Sequence, residues 1–331
     1  MKEVLSSQNS DLSLSGFEPR LQLITGKGGV GRTTTSIALA QAFAQQGLNV
    51  LLLEVRDADS ELIQDQVQRQ DSMLGRGLAQ CLDLNQALAL SESPVQASQH
   101  LWAAQLVASE GHRGFLRSII PSDRLVKAAL ESKALSRFLR SAPSMHELGI
   151  FYHLKHFDEC NDFDKLVIDM PATGHTLALS QLPERIASII KKGQIVDALR
   201  SGMEHITNPK SASMWIVTLA EKLPVSEAHE VKAALQKDGV QAAGLICNRS
   251  LKRHLTSDEQ NLYEHILSTT LPEYQQESVD DTSRLLDYAL QNSRVDPDVQ
   301  SLLQGFQRLY YLPEMSQATD RVKHISKLWL N

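Results

Sequence analysis

The chain of 331 residues has little cysteine, few aromatic residues and no long apolar run. Its three cysteines are far apart and form no C-x-x-C pair, which supports neither a disulfide framework nor a zinc ribbon. No uninterrupted apolar stretch approaches the roughly 18 residues of a membrane span. The net charge of −6 provides no overall basic field, so nucleic acid is not an expected partner. We expect a cytoplasmic protein.

A glycine-rich segment at residues 26–33 reads GKGGVGRT. It fits the Walker A pattern G-x-x-x-x-G-K-[ST] except that Arg32 stands where the pattern has lysine. A short apolar strand precedes the segment and an alanine-rich helix at residues 33–46 follows it. This order directs successive backbone N–H groups toward an anion at the positive end of the helix. We predict a phosphate-binding loop formed by Gly26, Lys27, Gly28, Gly29, Val30, Gly31, Arg32, Thr33 and Thr34.

Two residues suited to a magnesium ion accompany this loop. Thr33 supplies a hydroxyl of the kind that ligates Mg²⁺ beside a bound phosphate. Asp169 ends an apolar strand at residues 166–169, as a Walker B carboxylate does, and would hold the same ion directly or through water. We therefore predict Thr33 and Asp169 as metal ligands. Gly174 follows shortly afterwards, where its N–H could respond to the γ-phosphate.

Strand-like and helical stretches alternate along much of the chain. Continuous apolar runs at residues 50–53, 166–168, 215–219 and 244–247 are typical of buried parallel strands. A helical segment at residues 226–236 separates the last two runs. This alternation predicts an α/β fold with a doubly wound, mostly parallel sheet.

The predicted organisation has three parts. Residues 1–19 are a flexible lead, residues 20–320 form one phosphate-loop domain, and residues 321–331 form an amphipathic tail. Within the domain, the stretches at about residues 60–160 and 184–212 have many helical patterns and few strand-like runs. We therefore predict a helical insertion into the domain.

Several motifs, in the same order along the chain, resemble one family. Lys27 after the first glycine gives the deviant Walker A of the signature-lysine ATPases. Residues 171–177 (PATGHTL) resemble the switch II of ArsA-type ATPases, and residues 218–227 and 247–249 resemble further segments of that family. The family includes arsenite-pump ATPases and targeting ATPases for tail-anchored membrane proteins. The chain is most similar to its single-domain bacterial members, which often occur as paralogous pairs.

The resemblance implies a P-loop ATPase that binds ATP or ADP with Mg²⁺ at a dimer interface. Lys27 would act in catalysis by reaching the nucleotide of the partner subunit or by stabilising transition-state charge. Asp57 would orient the attacking water, with Asp59 as the alternative if the alignment slips. Asn248 would contact adenine. The partner would be a second copy or a paralogous ATPase, and an anion and a protein both remain open as the client.

Arg32 is the largest departure from the family pattern. Arginine is longer and forked, so it does not replace a lysine conservatively at a tight phosphate site. It still suits phosphate binding, whereas misplacing one charge costs on the order of 10²–10³ in rate. The alternative to an active ATPase is therefore a nucleotide-binding pseudo-ATPase that regulates an active paralogue in a heterodimer.

Two weaker patterns each have two interpretations. His153, His156 and Cys160 would form one helical stripe that could bind a soft metal, but neighbouring apolar residues favour a buried structural helix. The tail at residues 321–331 could lie on a membrane surface, but its shortness and modest charge favour a helix docked on its own domain.

Overall fold

The computed structural model describes residues 14, 16–55, 78, 82, 94–142, 144–171, 180–182, 206–250, 297–313 and 326–327. The elements in chain order are β1 (Leu21–Gly26), α1 (Arg32–Gln45), β2 (Val50–Val55), β3 (Val95–Ser98), β4 (Leu101–Leu106), α2 (Ala108–Ile119), α3 (Asp123–Glu131), α4 (Lys133–Ser141), α5 (Met145–Glu159), β5 (Lys165–Asp169), β6 (Ala212–Leu219), α6 (Lys222–Lys237), β7 (Ala242–Ser250), α7 (Pro297–Leu303) and β8 (Leu309–Pro313).

The strands form one sheet in the order β3-β4-β2-β5-β1-β6-β7-β8. All neighbouring pairs are parallel except β3 and β4. Strand β1 therefore lies between β5 and β6, and the segment that leaves it opens at the carboxyl edge of the sheet. In open α/β sheets this edge is where ligands bind.

Helices cover both faces of the sheet. On one face α1 packs through residues such as Ile37, Leu39 and Phe43. On the other face α2, α5, α6 and α7 contribute to a second core that includes Phe151 and Leu235. Strands buried on both faces must be apolar throughout, which is why their sequences read as continuous apolar runs. The predicted α/β fold with a doubly wound, mostly parallel sheet is confirmed.

Residues 94–106 differ from the predicted helical insertion, because they form β3 and β4. Leucine, alanine and glutamine make the LWAAQL sequence of β4 favourable for a helix. In the structure β4 instead pairs with β2 along its whole length, and Leu101, Ala103 and Leu106 are buried. Burial between two helical layers outweighs the weak local preference. Helices α2 to α5 then follow.

His153, one of the residues in the suggested metal stripe, has a structural role. Its Nδ1 accepts a hydrogen bond from the backbone N–H of Val107 at 3.0 Å, and the side chain is 3% exposed. Within the described ranges, no group of three or more histidine, cysteine, aspartate or glutamate residues could hold a metal ion. The structural interpretation of this helix is therefore favoured.

Two residues of the tail are described, and they lie against the domain. Ser326 is buried, and its hydroxyl accepts a hydrogen bond from Nε2 of Gln45 near the end of α1 at 3.2 Å. In the part of the chain that the structure describes, no helix is long and apolar enough to cross a membrane.

Candidate functional site

The glycine-rich loop is fixed at its two ends and open in the middle. Gly26 has φ 151° and Gly31 has φ 93°. A Cβ on Gly26 would collide with the carbonyl oxygen of Val217, and a Cβ on Gly31 would collide with the side-chain amide of Asn248. At Gly28 and Gly29, by contrast, no atom of the described structure would lie within 4 Å of an added Cβ. The loop therefore leaves free space above its exposed central backbone, at the N-terminus of α1.

The two predicted metal ligands lie together below this opening. The hydroxyl of Thr33 donates to Oδ2 of Asp169 at 2.6 Å, which joins the start of α1 to the end of β5. The hydroxyl of Ser36 lies 3.4 Å from the other carboxylate oxygen of Asp169. A hydroxyl and a carboxylate at this separation form an oxygen donor set of the kind that Mg²⁺ uses. The residues present therefore fit the predicted ion.

The carboxyl of Asp169 is 7% exposed. The pKa of Asp169 is raised to about 6, mainly by burial and also by the nearby charge of Glu54, while hydrogen bonding from Thr33 and Ser36 and the charge of Arg32 oppose this rise. A divalent cation at this position would favour the ionised form.

Arg32 points its guanidinium toward the end of β5. Its Nη1 donates to the carbonyl oxygen of Met170 at 2.9 Å. The N–H of Met170 in turn donates to the carbonyl oxygen of Ile24 at 3.0 Å. Arg32 therefore ties the phosphate loop to the residue that directly follows Asp169.

Lys27 lies at the rim of the loop. Its Nζ forms an ion pair of 3.1 Å with Oε1 of Glu227 on α6, and its side chain is 44% exposed. The predicted reach of Lys27 across a dimer interface stays a prediction.

Asn248, at the end of β7, is held against the loop. Its Nδ2 donates to the carbonyl oxygen of Val30 at 2.8 Å. Because that carbonyl can only accept, it determines which end of the amide faces the loop. The side chain is 2% exposed, and its Oδ1 is buried with no hydrogen-bond partner in the described structure. Asn248 therefore holds an acceptor oxygen beside the loop that no group of the described structure pairs with.

One pair of site residues was missed by the sequence analysis. Glu54 pairs in register with Asp169 on one side and with Gln105 on the other. Nε2 of Gln105 donates to Oε2 of Glu54 at 3.0 Å. A carboxylate at the end of an apolar strand was the signal used for Asp169, and the sequence VLLLEV of β2 carries the same signal.

The remaining predicted residues are placed only in part. Thr34 lies in the first turn of α1 and is half-buried. Asp57, its alternative Asp59, and Gly174 lie outside the described residues, so their roles stay predictions.

The model of the anion-transporting ATPase family matches residues 20–200. ATPase BagA of Mycobacterium tuberculosis is 25% identical over 254 residues, which cover 73% of this chain and 68% of that protein. Two proteins of Aquifex aeolicus, provisionally named arsenical pump-driving ATPases 2 and 1, are 25% and 23% identical, over 70% and 72% of this chain and 80% and 65% of their own lengths. The match covers more than half of the chain and includes the phosphate loop and Asp169. The chain therefore belongs to the anion-transporting ATPase (ArsA) family, as a P-loop ATPase of that family.

Proposed function

We propose that this protein binds Mg·ATP at a dimer interface and uses the arrival and loss of the γ-phosphate to act on a partner or client. The observation that carries the proposal is the contact between Thr33 and Asp169 beneath the open centre of the glycine loop. A hydroxyl from the start of a helix and a carboxylate from a strand end are the parts with which P-loop NTPases hold their metal.

The proposal gives a role to several residues of the site. Thr33 and Asp169 hold Mg²⁺, which neutralises charge on the phosphates when it is bound. The backbone N–H groups of residues 28–31 face the phosphates at the positive end of α1. The buried Oδ1 of Asn248 accepts a hydrogen bond from a base that presents a donor, such as the amino group of adenine. Asp57 would orient the water.

Dimerisation is supported by the position of Lys27. Its ammonium lies at the rim of the loop, and the adjoining Gly28 and Gly29 are exposed. A second subunit that faces this rim would bring Lys27 near the nucleotide of its partner. The two Aquifex relatives show that one organism can hold two such chains. The partner is therefore a second copy of this chain or a paralogous ATPase.

One observation favours a second candidate function. Nη1 of Arg32 donates to the Met170 carbonyl, so this donor is directed at the protein and not at the loop opening. A chain whose P-loop cation is held in this way could bind nucleotide without rapid hydrolysis. The second candidate is a pseudo-ATPase that regulates an active paralogue.

Calorimetric titration of the full chain with ATP, with and without Mg²⁺, tests the proposal. We expect saturable binding that Mg²⁺ strengthens, and loss of that metal dependence in Asp169→Asn. The control is Glu110→Gln on α2, outside the site. A folded wild type that binds no ATP would contradict both candidate functions. Phosphate release by Arg32→Lys but not by the wild type would favour the pseudo-ATPase.

A further inference from the structure

A row of polar side chains crosses three neighbouring strands beside the phosphate loop. Gln105 on β4, Glu54 on β2 and Asp169 on β5 occupy paired register positions. Neighbouring strands are about 4.8 Å apart, and paired positions of parallel strands share a face of the sheet. Asp169 contacts Thr33 and Ser36 of α1, so this face is the one that α1 covers. Glu54 therefore lies next to Asp169 on the same face.

Gln105 is a buried polar residue in an otherwise apolar strand. It is 3% exposed, and its amide donates to Oε2 of Glu54 at 3.0 Å. A buried amide is unfavourable unless it is hydrogen-bonded, and a hydrogen bond to a carboxylate is among the stronger kinds. This bond restricts the rotamer of Glu54, so Gln105 orients the carboxylate at the carboxyl edge of the sheet.

Two carboxylates on neighbouring strands make the surroundings of this row favourable for a cation. Glu54 and Asp169 place two carboxylates on adjacent strands, and both hydroxyl contacts of Asp169 come from α1. The charge of the Arg32 guanidinium also acts on Asp169, and its Nη1 donates to the Met170 carbonyl. A divalent cation held by Thr33 and Asp169 would balance the pair of carboxylates. Mg²⁺ also keeps several of its waters when bound, and these waters need acceptors.

We propose that Glu54 is a positioning residue of the metal site, and that its carboxylate, oriented by Gln105, accepts a hydrogen bond from a water on the bound Mg²⁺. This inference rests on the proposed function, since it assumes that Thr33 and Asp169 hold the metal. Mutating a residue that hydrogen-bonds to the ligands of a metal commonly lowers the affinity for that metal about 10–100-fold. Glu54 would set how tightly the metal is retained on the nucleotide.

The test uses the full chain with ADP and with Mn²⁺ as the probe, because free Mn²⁺ is counted directly by electron paramagnetic resonance. Glu54→Gln keeps an oxygen for Gln105 but removes the charge, and we expect Mn²⁺ affinity to fall about tenfold or more. We expect ADP affinity without metal to stay unchanged. Gln105→Leu should also lower the affinity for Mn²⁺, by a smaller factor, while the control Glu110→Gln should leave this affinity unchanged.

The outcomes separate the two proposals. If the wild type binds ADP and Mn²⁺, but Glu54→Gln binds Mn²⁺ within twofold of it, the role of Glu54 is contradicted and the proposed function stands. If the wild type binds neither ADP nor Mn²⁺, the proposed function fails, and the role of Glu54 fails with it. Circular dichroism melting of each variant confirms that the chain is folded, and Gln105→Leu provides an independent second change.

Discussion

Arg32 and Met170 are joined by a hydrogen bond of 2.9 Å from a guanidinium nitrogen to a backbone carbonyl oxygen. The bond connects the phosphate loop, through Arg32, to Met170, the residue that directly follows Asp169. Met170 is also held by β1 through its own N–H. The position that carries lysine in the Walker A pattern is therefore occupied by a side chain that braces the end of β5.

Replacing Arg32 by lysine should raise the rate of hydrolysis. Lysine carries a compact charge in place of the forked guanidinium. Without the hydrogen bond that Arg32 makes to the Met170 carbonyl, the lysine ammonium can face the phosphates. We expect kcat for Arg32→Lys to rise on the order of 10²-fold, with a smaller change in KM. Steady-state phosphate release over a range of ATP concentrations measures both values. Arg117→Lys on α2 is the control, and an unchanged kcat in Arg32→Lys would contradict this role of Arg32.

Removing the charge of Asp169 should stabilise the metal-free protein at neutral pH. Its pKa is raised by burial from 3.8 to about 6. The folded state therefore binds the proton more tightly, and the stability this confers is present below pH 3.8 and lost as pH rises through 6. Ionising the buried carboxyl costs about 3 kcal/mol above pH 6. Asp169→Asn should regain much of this amount at pH 7.5 and little at pH 4.

Urea unfolding in the presence of a chelator measures this difference. The same variant should lose the stabilisation that Mg·ADP gives the wild type, because the ligand for the metal is gone. An Asp169→Asn variant that is less stable than the wild type at pH 7.5 without metal would show that the buried charge is already compensated.

His153 should make the protein sensitive to acid. Burial lowers the pKa of His153 from 6.5 to about 4, and the charge of His156 acts in the same direction. The unfolded state binds the proton more readily, so stability is lost as pH falls from 6.5 toward 4, by up to about 3 kcal/mol. This dependence is opposite in sign to that of Asp169.

His153→Asn separates the two effects, since asparagine can keep an acceptor for the Val107 N–H but does not titrate. We expect a smaller loss of stability between pH 7 and pH 5 than in the wild type, measured by urea unfolding at each pH. His146→Asn on the same helix is the control. Identical pH dependence in His153→Asn and the wild type would exclude His153 as the group responsible.

The ion pair between Lys27 and Glu227 should compete with the proposed role of Lys27. Glu227→Gln frees the ammonium, and because exposed pairs contribute less than about 1 kcal/mol, stability should change little. ATP-dependent dimerisation should strengthen by at most about fivefold. Sedimentation velocity with Mg·ATP measures it, with Glu230→Gln, further along α6, as the control. Weaker dimerisation of Glu227→Gln than of the control would argue that Glu227 contacts the partner.

The sequence predicted those parts of the structure that depend on local pattern. The glycine spacing located the phosphate loop, and continuous apolar runs located β1, β2, β5, β6 and β7, because burial on both faces leaves no alternation. Strand β4 was missed because its residues favour a helix locally and only pairing with β2 makes it a strand.

Contacts between residues that are far apart in the sequence could not be predicted from local sequence patterns. Glu54 and Asp169 are far apart in sequence and become neighbours only through the β2–β5 register. The hydrogen bond from Asn248 to the Val30 carbonyl depends on how β7 packs against the phosphate loop. The hydrogen-bond partner of Arg32 could not be inferred from the sequence either. An arginine in place of the motif's lysine does not indicate where its side chain points.

Magnesium-dependent phosphate release by the purified full chain, compared with Asp169→Asn, tests most directly whether this protein hydrolyses ATP. We expect phosphate release by the wild type to be slow but clearly above that of Asp169→Asn, and to disappear when Mg²⁺ is chelated. Release by the wild type that equals that of Asp169→Asn, in protein shown to bind ATP, would contradict it.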